Sequence, residues 1–402
     1  MKFLVLALIT FLSLNICAQD WKECPGKKGE SGWICNVIQP DPKNHGPDGI
    51  NVFDWNEDGL PDVFVNYEEG KKSRLYFNPG KSKIRGLWED FIEFKHGKCE
   101  DSGMGDLDND GDIDYIANGG WIYFNPGKDS IKVVSKWKKM VLFDKEGRVP
   151  TVSDIDGDGL NDLIIAGLEW YKQPKEDKHN PKNWKKFELG KTKWVMSSIV
   201  YDVDKDGDKD IVVQDRRTET FWYENLGGEN VYKPWPKKSI FKKNKESMFM
   251  TIGDINADGK DDFIITGGRI GELKQKLIIL LRKNSSGDPQ FDEVIIDQPA
   301  KHADLGKDWF PKGVTIQDLD NDGKKEILIT PKLSDIWTAS FTGDPTKPES
   351  WQTKVLDTPG FKTRKKMDNA YPADIDGDGD IDIVTTEENG GWGVLWFENP
   401  GK

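Results

Sequence analysis

Seven segments of this 402-residue chain carry oxygen-bearing side chains at alternate positions around a glycine, in the form D-x-[DN]-x-D-G-x-x-[DE]. The first holds Asp54, Asn56, Asp58 and Asp62, and the second Asp106, Asp108, Asp110 and Asp114. The third holds Asp154, Asp156, Asp158 and Asp162, and the fourth Asp202, Asp204, Asp206 and Asp210. Asp254, Asn256, Asp258 and Asp262 form the fifth, Asp318, Asp320, Asp322 and Glu326 the sixth, and Asp374, Asp376, Asp378 and Asp382 the seventh. A tightly curled loop turns positions one, three and five into one concavity. The glycine at position six permits a left-handed bend, and the carboxylate at position nine closes the cage. Hard, mostly anionic oxygens suit Ca²⁺ rather than zinc or iron. An EF-hand does not fit. Its twelfth position should be Glu, and here it is Val65, Ala117, Ile165, Val213, Ile265, Ile329 or Thr385. The plain alternative is a set of Asp/Gly turns between strands. Seven copies at fixed spacing point instead to calcium loops acting as clips between strands.

The elements that must position these loops are strands. Each loop runs directly into a short apolar, β-branched segment such as VFVNY, LIIAG or FIITG. An aromatic segment follows, as in RLYFNPG, WIYFNPG and TFWYENLG, and then an outer segment such as WEDFIEF or WKKMVLF. The loop starts recur at intervals of 48, 52 or 56 residues, with one of 64. Periods of that size, with four strands each, predict the blades of an all-β, seven-bladed propeller over residues 19–402. Most of the Trp and Phe side chains are then expected between blades. The chain stops just after the seventh aromatic segment, so the last blade lacks an outer strand. Trp33–Ile38 has that character, and strand exchange between the two ends is expected to close the ring and remove an open edge.

The loops together with the [WY]-[FY]-x-N strands resemble the FG-GAP/VCBS repeat family over almost all of the chain after its leader. The resemblance implies a calcium-binding β-propeller. This chain departs from the pattern at Asn56, Asn256 and Glu326, and the fifth and sixth blades lack the aromatic pair.

In such blades the calcium loops share one face. The crossings between blades and the second-to-third connections share the other. The crossings contain His45, His96, Arg148, Trp194, His302, Trp309, Arg364, Lys365, Lys366 and Tyr371; the connections contain Tyr67, Arg216, Arg217, Arg269, Lys332, Glu387 and Glu388. His179 falls in a Lys/Pro-rich third-to-fourth connection and reads as solvated. A face rich in His, Arg, Tyr and Trp on an acidic chain points to an anionic ligand, since Arg clamps carboxylate or sulfate and Trp stacks on sugar rings. Exposed loops that happen to be polar are the plain alternative.

Two functions follow. One is β-elimination on an acidic, uronate-containing poly- or oligosaccharide, as in secreted propellers of similar architecture that act as lyases or dehydratases. It needs a base, an acid and a cation on the carboxylate. His96 or His302 is the expected base, Tyr371 the acid, and Arg216, Arg217 or Arg269 the neutralising group. His45, Arg148, Trp194, Trp309, Lys332 and Arg364 are expected to bind substrate. A two-carboxylate hydrolase through Glu387 and Glu388 is a weaker idea. The other function is a non-catalytic module that binds glycans or proteins.

Composition limits the rest. The net charge is −13, but 31 of the 70 acidic residues lie in the seven loops, so seven divalent ions would bring the protein near neutrality. Basic residues are scattered and no nucleic-acid motif occurs. Lys2, an apolar run from Phe3 to Leu14 and a small residue at Ala18 read as a signal peptide over residues 1–18, too short for a membrane span, so the expected product is a secreted or periplasmic monomer. Ile16 before Cys17 argues against lipidation. Cys24 and Cys35 are expected to pair in an oxidising compartment, leaving Cys99.

Overall fold

The computed structural model describes residues 20–143, 150–165, 168–242, 246–299, 309–356 and 366–401. Strands dominate, and the helical content among these residues is a few short 3-10 turns. Seven antiparallel sheets form seven blades. The first comprises Pro47–Phe53, Asp62–Tyr67, Lys72–Tyr76 and Phe91–Lys95 in sequential order. The next five repeat that order.

The seventh sheet differs. Its innermost three strands are Ala370–Ala373, Asp382–Glu387 and Gly393–Glu398. The fourth is Ile34–Gln39, which pairs antiparallel with Gly393–Glu398 and places Cys35 opposite Phe397. A short fifth strand, Lys27–Lys28, adds to the outside. Cys24 and Cys35 form the disulfide expected of them, while Cys99 is a buried thiol.

The blades adhere through apolar layers. Between the seventh and first blades, Ile38, Val63, Tyr76, Trp88 and Trp396 pack together. The fully buried side chains of largest volume include Trp170, Trp222, Trp337 and Trp396, as the aromatic strands lead one to expect, and Trp88 ahead of an outer strand. Truncating one of these to Ala costs about 3–5 kcal/mol. No helix among the described residues is long and apolar enough to cross a membrane.

Candidate functional site

The seven acidic loops are built alike. The first-position carboxylate accepts the N–H of the position-six glycine in every copy, as in Gly59 to Asp54 Oδ2 at 2.8 Å. That glycine has positive φ in all seven loops, from +82° at Gly259 to +103° at Gly207. Position four is left-handed as well, with non-glycine residues in five copies, including Lys205 at +62° and Ala257 at +58°. Sequence reading missed this second bend.

The ninth position does more than close a cage. Asp62 is fully buried; its Oδ2 accepts the Trp55 N–H at 3.2 Å and its Oδ1 the Asn78 N–H at 2.8 Å. Each oxygen keeps a second lone pair for a ligand. Burial pushes this carboxyl up to about 7, against the pull of those two N–H donors. The equivalent Asp114 is pushed up to about 8 for the same reason. The Asn that ends the aromatic strand also crosses the blade boundary. Asn225 Nδ2 donates to the Ile155 carbonyl at 2.9 Å, within the preceding blade's loop, and Asn78 and Asn399 do likewise to Ile375 and Leu319.

The residues present fit a cation in the second, fourth and seventh loops. In the second, third and fourth loops, oxygens from three carboxylates converge within 4.8 Å of one another: Asp106, Asp108 and Asp114; Asp154, Asp156 and Asp162; Asp202, Asp204 and Asp206. At position three, buried Oδ1 atoms of Asp108, Asp204 and Asp376 have no hydrogen-bond partner. Such unsatisfied buried carboxylate oxygens suit the hard oxygen coordination of a divalent cation. The third loop is the exception treated below. His179, expected to be merely solvated, sits 3.0 Å from Asp108 Oδ2 through Nε2 and lies edge-on to Phe124.

The other end of the propeller, where first strands begin and second strands end, holds a cavity of about 590 Å³. One wall carries Trp194, Arg216, Arg269, Phe310 and Lys332, from blades four to six. Across from it lie Asp48, Glu68, Glu100 and Asp101, from blades one and two, with Lys98 among them 3.5 Å from Glu68 Oε1. Trp194 is 42% exposed, and the guanidinium carbons of Arg216 and Arg217 lie 4.6 and 4.8 Å from its ring centre. Arg216 is buried and donates through Nε to Glu246 at 2.7 Å; Arg269 reaches the same carboxylate through Nη2 at 3.4 Å and through its backbone N–H at 2.7 Å. Burial alone would raise the Glu246 carboxyl, but the Arg269 N–H and the two guanidinium groups hold it below the usual range. Arg217 is exposed and has no carboxylate partner among the described residues.

The cavity floor is a cluster of buried charges. Lys312 contacts Asp368, Lys366 contacts Glu388, and Asp48 lies 3.9 Å from Lys366. Burial, reinforced by Lys366, pushes the Lys312 ammonium well below its ordinary range, and burial raises Asp48 against the pull of both lysines. Sequence reading had picked out Lys366 and Glu388 but missed Asp48, Glu246, Lys312 and Asp368. The one signal available was a lysine inside the strand Phe310–Gln317, whose other early positions are buried.

Of the residues expected at the site, the structure brings Trp194, Arg216, Arg269 and Lys332 together around the cavity, with Arg217 on its rim. Others stand apart. His96 does not line the cavity: its Nδ1 donates to the Gly97 carbonyl at 2.7 Å, leaving Nε2 as an acceptor 2.8 and 3.0 Å from the Ser73 and Tyr115 hydroxyls. Burial lowers its pKa, so it is a neutral member of a polar network. His45 is tied to Asp41 through both its Nδ1 and its backbone N–H. Trp309 is fully buried and offers no ring face to a sugar, because the strand begins one residue later and draws it into the core. Glu387 is also buried; it accepts the backbone N–H groups of Asn389, Gly390 and Trp392 and so staples a turn. Tyr371 lines a second space of about 410 Å³ on the propeller axis, which meets the cavity at Asp101 and Asn369. Arg148, His302, Arg364 and Lys365 lie outside the described residues.

The fold has solved counterparts. BBS1N in its complex with ARL6DN superposes with a TM-score of 0.55 at 10% identity, covering 92% of this chain and 97% of that one. YCF48 from Cyanidioschyzon merolae gives 0.54 at 12% identity, covering 91% and 98%. At such identities the likeness is one of fold alone. No curated protein matches the sequence. The family model described as FG-GAP-like repeat matches residues 54–117, 154–213, 202–265 and 318–385, more than half of the chain. With its seven four-stranded repeats each hung on one acidic loop, this chain belongs to the FG-GAP-like repeat family.

Proposed function

We propose that this chain is an exported, calcium-braced propeller that binds the end of an acidic, uronate-containing glycan in the cavity remote from its acidic loops. The observation that carries the reading is the division of that cavity into a guanidinium-and-indole wall and a carboxylate wall. A carboxylate on the ligand meets Arg217, held against Trp194, with Arg269 and Lys332 nearby. The sugar hydroxyls face Glu68, Glu100 and Asp101, which accept hydrogen bonds. A dense polyanion would be repelled by those acids, so one negative charge beside a hydroxyl-rich body fits best. Calcium, when bound, supplies charge neutralisation and rigidity to the opposite face. Export agrees with the leader-like N-terminus and with the Cys24–Cys35 disulfide.

The second reading is β-elimination of the bound uronate. It is supported by the contact between the cavity and the axial space that Tyr371 lines. In that reading the arginine wall neutralises the carboxylate while His302 serves as base. A titration with uronate oligosaccharides tests both, using the fluorescence of the exposed Trp194 for binding and ultraviolet absorbance of a new C4=C5 bond for turnover. Binding with a flat absorbance trace supports the module, and rising absorbance supports the lyase or dehydratase. No response of either kind across a panel of uronates overturns both.

A further inference from the structure

The third acidic loop meets a cation from its own aromatic strand, a contact that no other loop has among the described residues. In every blade, one residue on the aromatic strand lies opposite the ninth-position acid or extends the pairing to it. These residues are Phe77, Phe124, Lys172, Glu224, Leu281, Ser340 and Glu398. Only the third blade places a cation there; in the seventh loop Arg85 reaches Asp376 Oδ2 from the first blade at 2.7 Å, but it is shared with Glu398 and leaves Asp376 Oδ1 without a partner. The Lys172 amine contacts Asp156 Oδ2 at position three and lies 2.7 Å from Asp158 Oδ2 at position five. The Tyr232 hydroxyl, from the neighbouring blade, donates to the same Asp156 oxygen at 2.8 Å. Asp156 thus has no orphaned oxygen, whereas Asp108, Asp204 and Asp376 at the same position each keep one.

From this we infer that the third loop carries its own counter-ion: the Lys172 ammonium takes the place that a divalent cation takes in the other loops. The inference rests on the reading of those other loops as ion sites. Although Asp154, Asp156 and Asp162 converge as their counterparts do, a metal could reach Asp156 and Asp158 only by expelling an amine already paired with both. A single charge on a flexible stem, held by two carboxylates and backed by a tyrosine, satisfies the loop without any ligand exchange. The third blade is therefore indifferent to calcium supply.

The test counts ions. The full-length protein and its Lys172→Met variant are saturated with calcium and weighed by native mass spectrometry, with Lys172→Arg as the conservative control. The expected result is one additional ion per chain in Lys172→Met and none in Lys172→Arg. Equal counts in wild type and Lys172→Met overturn the inference. If all three proteins bind no ion, the reading of the other loops fails instead, and Lys172 is judged by melting in chelator. A midpoint several degrees lower in Lys172→Met than in wild type then supports its role as resident counter-ion, and an unchanged midpoint overturns it.

Discussion

The guanidinium carbon of Arg217 lies 4.8 Å from the centre of the Trp194 indole, on the rim of the cavity. The ring holds an otherwise mobile cation in place, so the pair acts as one recognition unit. Arg217→Ala is expected to weaken uronate binding about tenfold, in line with the loss of one charge-assisted contact. Trp194→Ala should weaken it by a similar factor while leaving the melting midpoint unchanged. Isothermal titration of both variants checks this, and additive losses would show that the two residues do not act together.

Asn225 ties the fourth blade to the Ile155 carbonyl of the third and to the Lys209 carbonyl of its own. Asn225→Ala leaves those buried acceptors short of donors, at a cost of about 1–3 kcal/mol. Denaturant titration should show a lower midpoint. A variant as stable as wild type would mean that water replaces the amide.

Burial pushes the Asp101 carboxyl up to about 6, while the Ser102 N–H pulls the other way. The sign follows from the direction. Well below the ordinary Asp value of about 3.9 the group is protonated in both folded and unfolded chains and has no effect. As pH rises toward 6 the unfolded chain ionises first, so stability falls, by at most about 3 kcal/mol. Above pH 6 the loss is complete. Asp101→Asn should flatten that slope in melts recorded between pH 4 and 6.

Ala257 holds φ at +58° in the fifth loop, a conformation that costs a residue with a Cβ roughly 1 kcal/mol. Ala257→Gly is therefore expected to stabilise the protein slightly, by a few tenths of a kcal/mol to about 1. A lower midpoint after substitution would show that the loop needs a stiffer chain more than it needs relief at this position.

Removing divalent ions leaves clustered carboxylates to repel one another. Chelator should lower the melting midpoint by roughly ten degrees or more, and excess calcium should restore it. Elemental analysis finding no alkaline-earth metal, together with an unchanged melt, would refute the ion reading.

Architecture was legible because it is written in periods. Seven copies of one loop at near-constant intervals, each entering a β-branched run, leave little choice of fold, and Trp170, Trp222, Trp337 and Trp396 lie where an aromatic strand should bury them. The cavity was legible only in part. Connections could be sorted to one face, and Trp194, Arg216, Arg269 and Lys332 do line one cavity there. Depth could not be sorted in that way. Trp309 and His96 sit on segments that look exposed, yet one is drawn into the core and the other is locked to Ser73 and Tyr115. Glu246, Asp48 and Asp368 gain their roles from partners on other blades, and no local pattern announces such pairs. Lys172 was visible all along, but its meaning depends on a cross-strand register that spacing alone does not supply.

The pairing of Ile34–Gln39 with Gly393–Glu398 has a consequence for biosynthesis. A ribosome makes these two segments more than three hundred residues apart, which at ordinary elongation speed is a wait of roughly 20–70 s. Until the later one emerges, the earlier one has only the two-residue strand Lys27–Lys28 beside it, and the backbone groups of its other edge stay bare and adhesive. A holding factor, or passage in an unfolded state, would keep that edge covered until the first and last turns meet.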